Sequence, residues 1–321
     1  MNRDLPEVVD ALVIGGGPAG LAAATWLGRY QRSTLVVDAG QHRNRFADQA
    51  YGLLGRDPTT PAALLADARS GLEQYPHVMV HNGTVSTVHH EADGRFSAQV
   101  DGAQITTPRI VLATGVRDHL PRIAGFMDHY GTDVHHCPAC DGLTARGRDV
   151  IVLGAGDHVP AFASELLDWA ATVRIITDTT HDVFDEGQKA TLAWHGIEVI
   201  DGSAEAFIGA PGALEGIRLA DGHVVEGSSV FFSYAHRPTN DLAVRLGCEL
   251  DDEGQILVNG HQLTSVDGVY AAGDITPGLD LVSIAIGQGT AAGVACATSL
   301  RGHGTVERAP TPAPPTRQFT A

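Results

Sequence analysis

Cys137 and Cys140 are separated by two residues in the segment Cys137-Pro138-Ala139-Cys140-Asp141. At the start of a helix, that spacing lets two thiols close a strained disulfide. The positive end of the helix also lowers a thiol pKa, so that thiolate is available near neutral pH. The chemistry open to such a pair is thiol–disulfide exchange, with its two electrons handed to a redox partner. His135 and His136 come immediately before the pair, and as imidazolium they would raise the thiolate fraction of Cys137. The other two cysteines, Cys248 and Cys296, are remote in sequence. Cys296 lies in the small-residue run Ala291 to Ala297, where cysteine acts as a compact hydrophobe. Four cysteines so spread do not form a secreted disulfide framework. A zinc ribbon would need a second CxxC, and the sixteen histidines are scattered, so no metal is expected.

A second constellation lies near the N-terminus. Ala11 to Ile14 is a short apolar run, followed by Gly15-Gly16-Gly17-Pro18-Ala19-Gly20 and then by a helix-forming stretch, Leu21 to Leu27. Leu35-Val36-Val37-Asp38 reads as a strand ending on an acid. This is a dinucleotide-binding pattern in its proper strand–turn–helix–strand context. Gly15 makes the turn, Gly17 admits a pyrophosphate, Gly20 packs helix on strand, and Asp38 takes a ribose hydroxyl. The pyrophosphate faces the helix N-terminus.

The elements that must position these groups repeat along the chain. Arg109 to Leu112 is a buried strand running into Ala113-Thr114-Gly115. Asp149 to Leu153 leads to Gly154-Ala155-Gly156, then a helix to about Trp169 and a strand, Val173 to Ile176. Tyr270-Ala271-Ala272 leads to Gly273-Asp274. Pro61 to Tyr75 suggests a helix, and Val78 to Val88, Phe96 to Val100 and Ala103 to Thr107 suggest a small strand system. Two strand–glycine–helix units in 321 residues imply an α/β chain with two Rossmann-like three-layer domains.

Composition narrows the function. A formal net charge of −17 repels a phosphate backbone, which excludes nucleic acid as a partner. Hydrophobic residues are 43% and charged residues 18%, and no apolar run approaches the roughly 20 residues of a membrane span. Met1 to Val9 has no secretory pattern, so the expected location is cytoplasmic.

Together, the two glycine units, the late Gly273-Asp274 and the CxxC resemble the low-molecular-weight thioredoxin reductase family over nearly the whole chain. The resemblance implies a discontinuous FAD domain, 1–115 plus 247–321, with an inserted nicotinamide-type domain, 116–246, that carries the CxxC. It implies FAD held by Gly15, Gly17, Pro18, Ala19, Gly20 and Asp38, by Ala113-Thr114-Gly115, and by Gly273 and Asp274 at the ribityl-pyrophosphate region. By the same resemblance Cys140 is the thiol that meets the flavin, Cys137 exchanges with substrate, Asp141 shuttles a proton, and the chain is a homodimer. With His136, these form the candidate catalytic set.

The chain departs from the reductases in two places. Val159, followed by Pro160, replaces the third small residue of the second glycine unit, which is expected to compromise the tight helix entry that a second dinucleotide needs. Thr177-Asp178-Thr179-Thr180 stands where the reductases have a basic cluster for the NADPH 2′-phosphate; Asp178 would repel that phosphate but could take the 2′-hydroxyl of NADH. The segment Asn44 to Leu65 and the form His136-Cys137-Pro138-x-Cys140 resemble the dithiol oxidases of gliotoxin and holomycin type, whereas Asp141 is the acid of the reductases. The expected activity is therefore oxidation of a dithiol in a small molecule or peptide, with molecular oxygen reoxidising FAD and yielding peroxide. The alternative is a reductase of a thioredoxin-like protein supplied by NADH, ferredoxin or another donor. A flavin-binding redox sensor or scaffold without turnover is disfavoured, because a scaffold would need neither motif intact. From Thr305 the chain is proline-rich and reads as a disordered tail, in which Phe319 is a candidate to fold back on the active site.

Overall fold

Alternate residues of strand β1 (Ala11–Ile14) serve two different cores: Leu12 and Ile14 join one, Ala11 and Val13 the other. The computed structural model describes residues 5–301. After β1 come α1 (Pro18–Arg29), β2 (Thr34–Asp38), a short 3-10 turn at Arg43–Phe46, α2 (Pro61–Leu72) and β3 (Val78–Asn82). Strands β4 (Val85–His90), β5 (Phe96–Val100), β6 (Ala103–Thr107) and β7 (Ile110–Leu112) follow. The next stretch is β8 (Val116–Asp118), α3 (Phe126–His129), β9 (Val134–His135), α4 (Pro138–Asp141), β10 (Asp149–Leu153), α5 (Val159–Leu166) and β11 (Thr172–Ile176). Then come α6 (Glu186–Trp194), β12 (Glu198–Ile200), β13 (Ala204–Ala210), β14 (Ala213–Leu219), β15 (Val224–Glu226) and β16 (Ser229–Phe232). The described chain closes with β17 (His236–Pro238), α7 (Asp241–Leu246), β18 (Val269–Ala271) and α8 (Val282–Ser299).

Two parallel five-stranded sheets result, in the orders β18-β7-β1-β2-β3 and β12-β11-β10-β16-β9. Each is the middle of three layers. In the first, α1 and α8 pack on one face through Ala23, Leu27, Ala292 and Cys296, and the antiparallel β4–β6 sheet covers the other through Phe96, Ala98 and Ile105. In the second, α5 and α6 cover Val150 and Val152, while the antiparallel β13–β15 sheet covers Ile151 and Leu153 with Phe207 and Ile217. Runs such as Val150-Ile151-Val152-Leu153 are apolar on both faces because both are covered.

The chain crosses from one sheet to the other and back through the antiparallel ribbon β8–β17, in which Val116 pairs with Pro238. At its foot the Thr114 hydroxyl donates to the Thr239 carbonyl at 2.7 Å, and the Thr239 N–H donates to Gly115 at 2.9 Å.

Three features of the fold add to or depart from the sequence reading. Val78 to Val88 is not one element of a small strand system: Gly83 breaks it, and β3 joins the first parallel sheet beside β2 while β4 starts the antiparallel layer. A side chain at Gly83 would collide with the Asp101 carboxylate. The β13–β15 layer was not anticipated. Pro160 does not disturb α5, because it lies in the first turn, where the missing N–H has no helical partner to lose and the fixed φ suits the helix. The Thr305–Phe319 segment lies outside the described residues. Among the described residues no helix is long and apolar enough to cross a membrane.

Candidate active site

The glycine turn after β1 opens onto a cavity of about 690 Å³ at the carboxyl end of the first sheet. Gly15 has φ +108°, and a Cβ there would lie 2.1 Å from the Ala113 carbonyl oxygen, so the turn itself demands glycine. Gly17 differs. It caps α1 with φ −78°, and a Cβ there would meet no protein atom within 4 Å. The protein does not require glycine at this position, but a close-lying ligand would. Gly20 packs α1 on the turn, with 1.9 Å between its would-be Cβ and the Gly15 carbonyl. Pro18 takes the first turn of α1 and, with Ala19, lines the cavity.

Asp38, at the end of β2, also lines the cavity and is 7% exposed. Its Oδ1 accepts from the Gly40 N–H at 3.0 Å, and its Oδ2 accepts from Arg69 of α2. Ala113, Thr114 and Gly115 form one wall, Gly273 and Asp274 another. Burial pushes the Asp274 carboxyl up to about 6, and the neighbouring Asp280 adds to the effect. The buried hydroxyl oxygen of Thr239, also on the lining, has no hydrogen-bond partner among the described residues. The open face of Gly17, the α1 N-terminus and this hydroxyl fit an elongated dinucleotide.

Cys137 and Cys140 form a disulfide with S–S 2.03 Å and Cα–Cα 5.2 Å. Cys137 caps the four-residue α4, its sulfur accepting from the Cys140 N–H at 3.1 Å. Burial pushes the Asp141 carboxyl up to about 7, so at neutral pH this group exchanges a proton readily. His135 Nδ1 is 3.7 Å from Asp141 Oδ2. Burial pushes His135 down to about 4, and burial together with Arg43 pushes His136 down to about 4. Both rings are therefore neutral beside the disulfide at pH 7. The expectation that they act as imidazolium ions to favour Cys137 thiolate is corrected: the second sheet and the aromatic cluster of Tyr130 and Phe232 remove the water that would solvate the charge.

The structure adds residues that no sequence motif singled out. Arg43 lines the cavity and clasps Asp118 of β8, with Nη2 to Oδ1 at 2.7 Å and Nε to both oxygens at 3.0 and 3.1 Å. Its Nη1 meets Asp280 at 2.7 Å. The Tyr130 hydroxyl is 3.5 Å from Asp118 and 3.2 Å from His136 Nδ1. One hydrogen-bonded chain thus runs from the cavity wall to the residue preceding Cys137.

The second glycine turn, at the carboxyl end of β10, is engaged by the protein itself. His158 lies beside Gly156, and its Nε2 is 2.8 Å from the Ser233 hydroxyl at the end of β16. Asp178 is bonded within the second domain: Oδ1 accepts from the Ala204 N–H and Oδ2 from the Tyr234 hydroxyl, each at 2.8 Å. The two oxygens of Asp38 are engaged in the same way, by Gly40 and Arg69. His77 and His81 are four residues apart, but His81 lies on strand β3 and His77 in the turn before it, not on one face of a helix. Among the described residues no three His, Cys, Asp or Glu side chains converge on a metal site.

A cavity at a strand–glycine–helix turn, joined by a hydrogen-bonded chain to His136 beside a CxxC disulfide, on two Rossmann-like sheets, is the layout of a disulfide oxidoreductase. The chain belongs to the pyridine nucleotide-disulphide oxidoreductase family, whose model matches residues 9–289. It is an enzyme, similar to thioredoxin reductases. It is 31% identical to the thioredoxin reductase tcpT of Claviceps purpurea, over 92% of this chain and 95% of that one. It is 29% identical to the thioredoxin reductase sirT of Leptosphaeria maculans, over 90% and 93%. Among solved structures it resembles that of HlmI, with TM-score 0.87 and 32% identity over 94% of this chain and 95% of the other.

Proposed function

We propose that the chain is a FAD-dependent dithiol oxidase, which closes a disulfide in a small molecule or peptide and passes the electrons to molecular oxygen. The observation that carries this reading is the contrast between the two glycine turns. The first presents an open cavity with the Thr239 hydroxyl, which has no partner among the described residues, while the second is bridged by His158–Ser233. A pyridine nucleotide does not fit the second site as it stands, so we derive no step through one. The resemblance of the 44–65 segment and the His136-Cys137-Pro138 form to gliotoxin- and holomycin-type oxidases, together with the likeness to HlmI, supports the same choice.

Gly15, Gly17, Gly20 and the α1 N-terminus would hold the FAD pyrophosphate, Asp38 the adenosine ribose, and Gly273 and Asp274 the ribityl end. Bound there, FAD supplies a two-electron acceptor for the dithiol and a site where oxygen takes those electrons. A substrate thiolate attacks the Cys137 sulfur, and Cys140 leaves as thiolate. The second substrate thiol then attacks its own mixed-disulfide sulfur, releasing the cyclised product and the Cys137 thiolate. Two protons leave the substrate, and Asp141 in its ionised form accepts one. On this reading the protein works in the cytoplasm, and the resemblance implies a homodimer.

A second reading, reduction of a thioredoxin-like protein with a donor other than NADPH, is favoured by Asp141, the reductase acid. Anaerobic stopped-flow separates the two. Dithiothreitol alone should bleach the flavin within seconds while NADPH and NADH leave it yellow; rapid bleaching by either nucleotide overturns the oxidase reading.

A further inference from the structure

Tyr130 is 8% exposed, and its ring is held on several sides: Phe46 at 5.2 Å, Phe126 at 5.5 Å, Phe232 at 5.4 Å and His136 at 6.2 Å between centroids. Phe46 ends the 3-10 turn that begins with Arg43, so this contact joins the cavity side to the disulfide side. The next residue is fixed too: a Cβ on Gly131 would lie 1.7 Å from the Phe46 carbonyl oxygen, and the Asp48 N–H donates to the Gly131 carbonyl at 3.4 Å. These contacts place the ring without help from its hydroxyl. The hydroxyl spans Asp118 and His136, and Asp118 is held by Arg43.

We propose that Tyr130 is a positioning residue: its hydroxyl ties His136, and through it the Cys137–Cys140 helix, to the Arg43–Asp118 pair on the cavity wall. This rests on the proposed flavin-dependent function and adds a role that the sequence assigns to no residue. The tie holds whichever way the protons run. Asp118 is ionised, because the hydrogen bonds and charge of Arg43 outweigh the effect of its burial. Burial and Asp118 push the Tyr130 phenol well above its usual range, so it keeps a proton to donate. That proton goes either to His136 Nδ1 or to Asp118, and in the latter case the imidazole donates to the phenol oxygen. The hydroxyl takes part in no bond making. The disulfide gains two electrons from the dithiol whether or not the tie is present, and what the tie governs is their onward passage from the Cys140 thiolate.

Tyr130→Phe removes one oxygen and leaves the ring contacts in place. In the FAD-loaded enzyme, anaerobic flavin reduction by dithiothreitol should slow about tenfold, the effect of one hydrogen bond on a rate. Disulfide opening, read by quenching, alkylation and mass spectrometry, should keep its rate, and FAD content should not change. In a Cys137→Ser background, which leaves Cys140 as a free thiolate, adding Tyr130→Phe should diminish the long-wavelength charge-transfer absorbance. That band needs no dithiol, so it reads the tie even if dithiothreitol proves unable to reduce the native enzyme, a result that would instead defeat the oxidase reading. Asp118→Asn, which weakens the hub from the other side, should move the band in the same direction. An undiminished band with unaltered flavin reduction overturns the proposal, and so does a slowing of disulfide opening equal to that of flavin reduction.

Discussion

The imidazole of His158 lies 2.8 Å from the hydroxyl of Ser233, joining the glycine turn after β10 to the end of β16. In an open parallel sheet this is the crevice where a dinucleotide pyrophosphate would lie. Neither NADPH nor NADH should therefore show saturable binding in calorimetry with the FAD-loaded enzyme. His158→Ala should not restore NADPH binding, because Thr177, Asp178 and Thr179 offer no cation to its 2′-phosphate. Each missing charge-assisted hydrogen bond costs on the order of 1.5–3 kcal/mol, or about tenfold or more in affinity. Micromolar NADPH affinity in the native enzyme would refute this.

Gly17 and Gly15 should respond differently to substitution. Gly17→Val has room in the protein and an ordinary φ, so the variant should fold, keep its cooperative thermal transition and lack flavin absorbance. Gly15→Val collides with Ala113 and should lower stability as well, by several kcal/mol. Full flavin content in purified Gly17→Val would remove this glycine from the FAD site.

Asp141 gives a pH dependence with a definite sign. Its folded pKa, about 7, lies above the ordinary 3.8, so its contribution to stability is fully present below about pH 4 and lost as pH rises through 7. Asp141→Asn should thus leave stability unchanged at pH 4 and raise it at pH 8, by on the order of 1–4 kcal/mol for a side chain only 13% exposed. Activity should move the other way. Dithiol oxidation in the native enzyme should rise as Asp141 ionises near pH 7, and this limb should vanish in Asp141→Asn. Denaturation midpoints at the two pH values and a pH–rate profile check both; a limb near 7 that survives in Asp141→Asn belongs to another group.

The sequence made the first glycine turn, Asp38 and the CxxC legible because each is local: the residues that cooperate are neighbours in the chain. The Arg43–Asp118–Tyr130–His136 chain was hidden because its members are far apart in sequence and meet only when the 3-10 turn, β8 and the Tyr130 corner are packed together. Pro160 leaves α5 intact for a positional reason, since the same residue that breaks a helix interior suits its first turn. His135 and His136 were read with the charge they carry in water, and burial reverses it. Asp178 was visible as an acid, but its partners Ala204 and Tyr234 come from the β13 layer and the end of β16, which its own segment does not reveal.

The central claim is that electrons enter from a dithiol through Cys137 and Cys140 and leave to oxygen. The most direct measurement mixes the oxidised enzyme anaerobically with one equivalent of dithiothreitol, records the flavin spectrum, admits oxygen and measures peroxide. The account predicts bleaching by the dithiol, recovery of the yellow spectrum with oxygen, and one peroxide for each disulfide formed. Cys137→Ser and Cys140→Ser should keep their FAD and neither turn over. A flavin that dithiothreitol leaves oxidised, or peroxide formed at the native rate by Cys140→Ser, would contradict it.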